Sequence, residues 1–163
     1  IVNSPIVYLH ARGYDEGQLL PFQQMESLEY LDASFGLYTD PGFLADFDLP
    51  YGLDISHTSI SSIKAFRNKE YIEFSLASTA VEDLSPLLTM KNLQRTDFFG
   101  CYMGITEEFA NQLTKSNPNL VIYAFERGSR TFPNYILSKD SYEIVVKDDL
   151  QTINGKAIVS TSA

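Results

Sequence analysis

The stretch LDISHTSISSI, at residues 53–63, decides the fold of this chain, because FSLASTAVEDLSPL, at residues 74–87, repeats it almost position for position. Both begin with two apolar residues separated by one polar residue, and both reach a threonine five residues after the first apolar one. The two stretches start 21 residues apart. A repeat of this length is typical of architectures in which short units stack on one another.

Six segments of the chain share the pattern apolar-x-x-apolar-x-apolar. Their fourth positions are Leu9, Leu31, Leu53, Phe74, Thr96 and Tyr123. The steps between these positions are 22, 22, 21, 22 and 27 residues. The alternation predicts a short strand in each segment, with the fourth and sixth residues pointing inward. The predicted fold is therefore an α/β solenoid of about six repeats, whose parallel strands form one concave sheet.

The residues that follow the strands resemble those of leucine-rich repeat proteins. The stretch TAVEDLSPLLTMKNL, at residues 79–93, is similar to short internalin-like repeats, whereas the last and longer repeat resembles the ribonuclease-inhibitor-like class. This resemblance covers residues 5–126 and implies that Thr58, Thr79 and Cys101 hydrogen-bond the turning backbone. It implies a fold rather than a function, because leucine-rich repeats serve many purposes.

The longest repeat and the C-terminal tail depart from the regular spacing. Thr106 predicts the N-cap of a helix, since Glu107 and Glu108 would lie in its first turn, where the helix dipole favours carboxylates. Residues 142–147 and 156–160 alternate as strands do. We therefore expect a leucine-rich repeat solenoid at 1–127 and a C-terminal β-rich cap at 128–163. The alternative is that the tail starts a separate β module; capping is favoured because an open end exposes unpaired strand edges.

Composition restricts the classes of partner and compartment. The net charge of −9 argues against nucleic-acid and anionic-membrane binding, both of which need basic surface. No apolar run is long enough for a membrane span, and no signal-peptide pattern opens the chain. A single cysteine and the lack of a glycosylation sequon favour a cytoplasmic over a secreted protein.

The outward residues of the strands are the candidate binding site. Acidic side chains outnumber basic ones there, and tyrosine and phenylalanine, which are enriched at interfaces, lie among them. The predicted partner-binding residues are Tyr8, His10, Tyr30, Asp32, Asp54, Glu73, Arg95, Asp97, Phe99 and Glu126. Their charge favours a basic protein partner. The competing interpretation is that Leu-Asp-Leu/Ile-Ser is common in leucine-rich repeats whatever they bind.

Catalytic and metal chemistry find little support in the sequence. A shallow sheet offers no deep pocket for a pair of carboxylates, and Asp46 and Asp48 lack the glycine and glutamate of a calcium loop. His10 and His57 lie in different repeats at different positions. We therefore predict no catalytic residue, no metal and no cofactor.

The predicted function is a non-catalytic protein-interaction module that binds a protein partner through its acidic, aromatic-bearing concave face. Two forms of it stay open: a recognition domain cut from a larger chain, and a small acidic inhibitor of a basic toxin or nuclease, as immunity proteins are. A hydrolase and a purely structural spacer are less favoured.

Overall fold

The computed structural model describes residues 7–101, 106–125, 134–137, 144–147, 150–153 and 156–159, with side-chain surroundings as far as Ile122. The strands and α-helices are, in chain order, β1 (Tyr8–His10), α1 (Glu16–Leu19), β2 (Tyr30–Asp32), β3 (Gly52–Asp54), β4 (Glu73–Ser75), β5 (Arg95–Asp97), α2 (Glu107–Ser116), β6 (Val121–Phe125), β7 (Asn134–Leu137), β8 (Ile144–Lys147), β9 (Leu150–Ile153) and β10 (Lys156–Val159). Short 3-10 helices lie at Leu20–Gln24, Gly42–Asp46, Lys64–Phe66 and Ser85–Thr89. In the described part of the chain, no helix is long and apolar enough to cross a membrane.

Strands β1 to β6 form one parallel sheet in the order in which they occur along the chain. Their inward residues lie directly opposite one another, from Leu9 through Leu31, Leu53 and Phe74 to Thr96. The predicted parallel sheet and the register of its first five strands are therefore confirmed. Strands β1 to β5 are each three residues long. Because they are parallel, each connection returns the chain to the end of the sheet where the previous strand began.

The predicted register of β6 was wrong by one residue. The sequence pattern placed Tyr123 opposite Thr96, but the structure pairs Ile122 with Thr96 and Tyr123 with Asp97. Ile122 is fully buried. The physical reason is that residues 120–125 are all apolar, so no polar residue fixes which side chains of this strand face inward.

The core lies behind the sheet and is rich in aromatic rings. Six of the predicted core residues are fully buried, namely Leu31, Leu53, Ile55, Phe74, Leu76 and Phe98. The ring of Phe74 lies 5.2 Å from that of Phe66 and 5.6 Å from that of Tyr71, measured between centroids. The side chains of Tyr123 and Phe125, which were also predicted to be buried, lie outside the described residues.

A left-handed residue follows each of the first five strands. These residues have φ between 55° and 76° and are Gly13, Phe35, His57, Ser78 and Gly100. The amide of Phe35 donates to the carbonyl of Ser56, and that of His57 donates to Ala77, so the parallel pairing continues past the strands into the turns. The chain can then turn away from the sheet without leaving these backbone groups unpaired.

The residues that follow these turns hold the backbone as predicted. The hydroxyls of Thr58 and Thr79 donate to the carbonyls of Ile55 and Leu76, each over 2.8 Å. The thiol of Cys101 is buried and donates to the same Leu76 carbonyl over 3.1 Å. Thr58 and Thr79 therefore tie their turns to the ends of the strands that precede them, whereas Cys101 ties the turn after β5 to the repeat before it.

The C-terminal part of the chain begins with the predicted helix α2. Its N-cap is Thr106, whose hydroxyl oxygen accepts from the amide of Phe109 over 3.2 Å. Strand β7 then pairs antiparallel with β6, while β8, β9 and β10 form a separate antiparallel sheet. The sequence predicted neither β7 nor β9 as a strand. A cap at 128–163 implies that Ile144, Val146 and Ile158 pack against the last repeat, but their side chains lie outside the described residues.

Candidate binding surface

The outward side chains of β1 to β5 form a continuous surface, which we call the polar face. Parallel pairing places equivalent residues opposite one another, about 4.8 Å apart from strand to strand. The two rows are Tyr8, Tyr30, Gly52, Glu73 and Arg95, and His10, Asp32, Asp54, Ser75 and Asp97. Most of the predicted binding residues therefore lie on one surface, as the strand alternation indicated.

Three tyrosines cluster at one end of the polar face. The ring of Tyr8 lies 5.7 Å from those of both Tyr30 and Tyr51, and the last two are 6.0 Å apart. Tyr8 is 50% exposed, whereas Tyr30 and Tyr51 are half-buried. Burial, with the nearby charge of Asp54, raises the pKa of the Tyr30 phenol. This group therefore stays neutral and can donate a hydrogen bond at physiological pH.

Tyr51 is a member of the cluster that the sequence analysis missed. It immediately precedes β3, and the alternation of side chains assigns it no place among the outward residues. The sequence feature that could have revealed Tyr51 is its neighbour Gly52, which has no side chain to lie over the adjacent strand. The ring of Tyr51 can therefore approach Tyr8 and Tyr30 from the side.

Asp32 is buried at the centre of a hydrogen-bond network, which corrects its prediction as an accessible binding residue. Only 2% of its surface is exposed. Arg12 Nε donates to Asp32 Oδ2 over 2.6 Å, His10 Nδ1 lies 3.2 Å from the same oxygen, and Ser34 donates to Oδ1. Although burial opposes its ionisation, the hydrogen bonds from Ser34, Arg12 and His10 together hold the pKa of Asp32 below its ordinary value. The alternation identified the row, but it could not reveal that neighbouring side chains cover this carboxylate.

A pocket opens in the polar face beside Gly52. This glycine lies between Tyr30 and Glu73 in its row, and β4 approaches it so closely that a β-carbon there would lie 2.0 Å from the carbonyl oxygen of Glu73. The cavity has a volume of about 300 Å³, and we call it the acidic pocket. Its lining residues are Tyr30, Asp54, Glu73, Phe74, Ser75, Arg95 and Asp97.

Negative charge dominates the acidic pocket, because three carboxylates accompany one guanidinium group. Arg95 Nη1 lies 3.3 Å from Glu73 Oε1, so these two charges form an ion pair. Asp54 and Asp97 instead accept backbone amide hydrogen bonds, each over 2.8 Å, from the residues two positions later. Burial raises the pKa of Asp97, and the charge of Asp54 adds to the effect. These two carboxylates are the part of the pocket that lacks a bonded cation among the described side chains.

The remaining predicted residues lie around the edges of this surface. The side chain of His10 is 69% exposed beside Asp32, and Phe99 is half-buried just after β5. Glu126 lies outside the described residues. The sequence analysis missed a stacked pair formed by Phe35 and His57, whose rings are 4.5 Å apart and nearly parallel at 10°. Both residues are exposed, so this pair adds aromatic surface next to the polar face.

The arrangement of the polar face suits a cationic side chain better than an anionic or apolar one. Carboxylates at Asp54 and Asp97 can accept several hydrogen bonds from a guanidinium or ammonium group. The neighbouring tyrosine rings offer their faces to a cation and apolar area to the carbon chain that carries it.

Comparison with known proteins adds no relative of this chain. No protein-family model matches the sequence, and no curated protein matches it at a significant level.

Proposed function

We propose that this chain is a leucine-rich repeat solenoid that acts as a protein-interaction module. The proposed repeat fold is supported by the near-constant step between paired inward residues and by the left-handed residue after each of the first five strands. The hydrogen bonds of Thr58, Thr79 and Cys101 to the turning backbone add to this support. In this proposal the polar face is the concave surface and β7 begins a C-terminal cap.

The partner in this proposal is a basic protein that binds the polar face without undergoing a reaction. The acidic pocket is the observation that carries the proposal, because it combines the Tyr30 ring with the carboxylates of Asp54 and Asp97. An arginine or lysine of the partner would place its charged group between those carboxylates. Tyr8 would contribute the exposed apolar area that tyrosine anchors supply at interfaces.

A charge-neutralised variant of the pocket tests the proposal. We expect Asp54→Asn/Asp97→Asn to weaken binding of the partner by about tenfold or more, since truncating hydrogen-bonded charge pairs at interfaces costs several kcal/mol. Asparagine keeps the oxygen that accepts the backbone amide, so the strand ends should stay folded. The measurement is affinity capture followed by titration calorimetry with the captured protein.

The matched control is Glu26→Gln/Glu82→Gln, which removes the same charge from two exposed residues outside the pocket. A partner that binds this control as well as the wild type, but not the pocket variant, supports the proposal. Its association rate should also fall as salt is raised, because exposed charges mainly steer the encounter. Equal capture of the same proteins by both double variants would place the interface elsewhere.

A further inference from the structure

A second and larger cavity lies at the edge of the sheet where the strands begin. Its volume is about 530 Å³, and it is lined by the segments that lead into β3, β4, β5 and β6, at residues 47–50, 69–72, 91–94 and 117–119. None of these residues lines the acidic pocket, although some are next in the chain to residues that do. The cavity therefore serves no role in the function proposed above.

Tyr71 presents an unpaired hydrogen-bond donor in the lining of this cavity. Its ring packs between Phe66 and Phe74, and only 2% of the residue is exposed. Its hydroxyl group has no hydrogen-bond partner among the described residues. Burial, followed by the charge of Asp48, raises the pKa of this phenol, so it keeps its proton. A buried hydroxyl without a partner destabilises the protein, and an acceptor brought by a ligand would remove that cost.

Asn117 presents an unpaired acceptor in the same lining. It is 4% exposed, and its Nδ2 donates to the carbonyl of Met90 over 2.9 Å. That bond fixes the orientation of the amide, because turning it over would bring two oxygens together. Its Oδ1 is therefore held in place, and it has no donor among the described residues.

The chemistry of the lining selects a neutral ligand that both donates and accepts. The charged residues of the cavity are Lys69, Lys91, Asp48 and Glu70, and their charges cancel. A phosphate-bearing ligand would need an excess of positive charge, and a polycation would need the reverse. An amide fits, since its carbonyl can accept from Tyr71 and its N–H can donate to Asn117.

The shape of the cavity narrows the ligand to an extended chain. The lining spans the starts of four neighbouring strands, which at about 4.8 Å per interval is about 14 Å. An extended polypeptide rises about 3.3 Å per residue, so about four residues cover this distance. Apolar surface along the length of the cavity comes from Leu49, Pro50 and Pro118. A compact ligand such as a single sugar ring would leave part of the cavity unfilled.

We propose that this cavity binds an extended, uncharged peptide segment of a partner protein, about four residues long. One backbone carbonyl of the segment accepts from Tyr71, and one backbone amide donates to Asn117. The site is separate from the polar face, so the chain has two independent binding surfaces.

The test uses the full chain labelled with ¹⁵N and a tetrapeptide of alternating alanine and valine, acetylated and amidated at its ends. We expect saturable shifts of the backbone amides at residues 69–72, 117, 119 and 120. Tyr71→Phe should lower the affinity about fivefold to tenfold, since it removes one hydrogen bond. The matching depsipeptide, in which esters replace the internal amides and both capped ends, should bind as weakly, because it has no N–H to donate to Asn117.

The control variant is Tyr38→Phe, since Tyr38 is also buried but donates to the carbonyl of Ala33. It should bind the tetrapeptide as the wild type does, yet lower the melting temperature, whereas Tyr71→Phe should not lower it. A melting temperature that falls equally in both variants would mean that the Tyr71 hydroxyl already has a partner, and the proposal would fail. It would also fail if the tetrapeptide caused no saturable shifts, if sorbitol caused the same ones, or if Tyr71→Phe bound as tightly as the wild type. These outcomes leave the proposal for the polar face untouched, because they concern different residues.

Discussion

At the scale of single residues, the two aspartates Asp32 and Asp97 illustrate how one row of the sheet can hold two opposite environments. Asp32 accepts hydrogen bonds from Arg12 and Ser34 and has a lowered pKa. Asp97 is partly buried with one backbone donor, and its pKa is raised. Folding therefore favours the charged form of Asp32, whereas it favours the protonated form of Asp97.

We expect Asp97→Asn and Asp32→Asn to change the melting temperature in opposite directions at pH 7. The folded protein holds the Asp97 proton more tightly than the unfolded chain does, so stability is lost as the pH rises from about 3.8 through the folded pKa. Removing that charge should raise the melting temperature at pH 7. Asp32 has the reverse linkage, with its contribution present at neutral pH and lost as the pH falls through its lowered pKa.

Thermal unfolding of both variants and the wild type between pH 3 and pH 7 provides the measurement. The advantage of Asp97→Asn should shrink toward pH 3, and so should the deficit of Asp32→Asn. A lower melting temperature for Asp97→Asn at pH 7 would mean that a cation already pairs with Asp97. That result would also weaken the case for the acidic pocket.

At the scale of elements, Gly52 determines how closely β3 and β4 approach. A β-carbon at this position would lie 2.0 Å from the Glu73 carbonyl oxygen, which is a backbone atom and cannot rotate away. Tyr30 and Glu73, the two residues that pair with Gly52, both line the acidic pocket. The close pairing at Gly52 therefore sets the distance between two residues of the candidate site.

Gly52→Ala should destabilise the protein by about 3 kcal/mol, because the strands must move apart to admit the methyl group. The control is Gly17→Ala in α1, where a β-carbon would make only an ordinary contact at 3.4 Å with Asp15. That change should be neutral or stabilising, since alanine favours helices. Urea unfolding measures both, and an unchanged midpoint for Gly52→Ala would contradict the close approach.

The sequence predicted those elements whose apolar and polar residues alternate clearly. The inward Leu31 and Leu53 are flanked by polar or small residues, so the faces of β2 and β3 could be assigned. The inward and outward residues of β6 could not be assigned, because residues 120–125 are all apolar. The burial of Asp32 depends on Arg12, which reaches it from a neighbouring turn. Contacts of that kind depend on side-chain conformations that a pattern of residue types does not contain.

At the scale of the whole molecule, an antiparallel strand covers the last strand of the parallel sheet. Strand β7 pairs antiparallel with β6, with Leu137 opposite Ile122, and so covers the backbone of the last parallel strand. An uncovered edge would offer unpaired amides and carbonyls to other chains. Strand β7 therefore pairs backbone groups of β6 that would otherwise be open to other chains.

Deleting residues 134–163 should lower both the melting temperature and the solubility, because it uncovers the edge of β6. The matched control is deletion of 144–163 alone, which keeps β7 and should have a smaller effect. Calorimetry and light scattering distinguish the two deletion variants. An identical melting temperature for the longer deletion and the full chain would show that the tail does not stabilise the sheet.

Because Cys101 is buried, the reactivity of its thiol reports how often the structure around it opens. It is the sole thiol of the chain, and its burial raises its pKa, so in the closed state it presents almost no reactive thiolate. Because Cys101 is buried, a disulfide reagent can reach it only when the structure around it opens. The labelling rate therefore counts those openings, and no probe has to be introduced into the protein to see them.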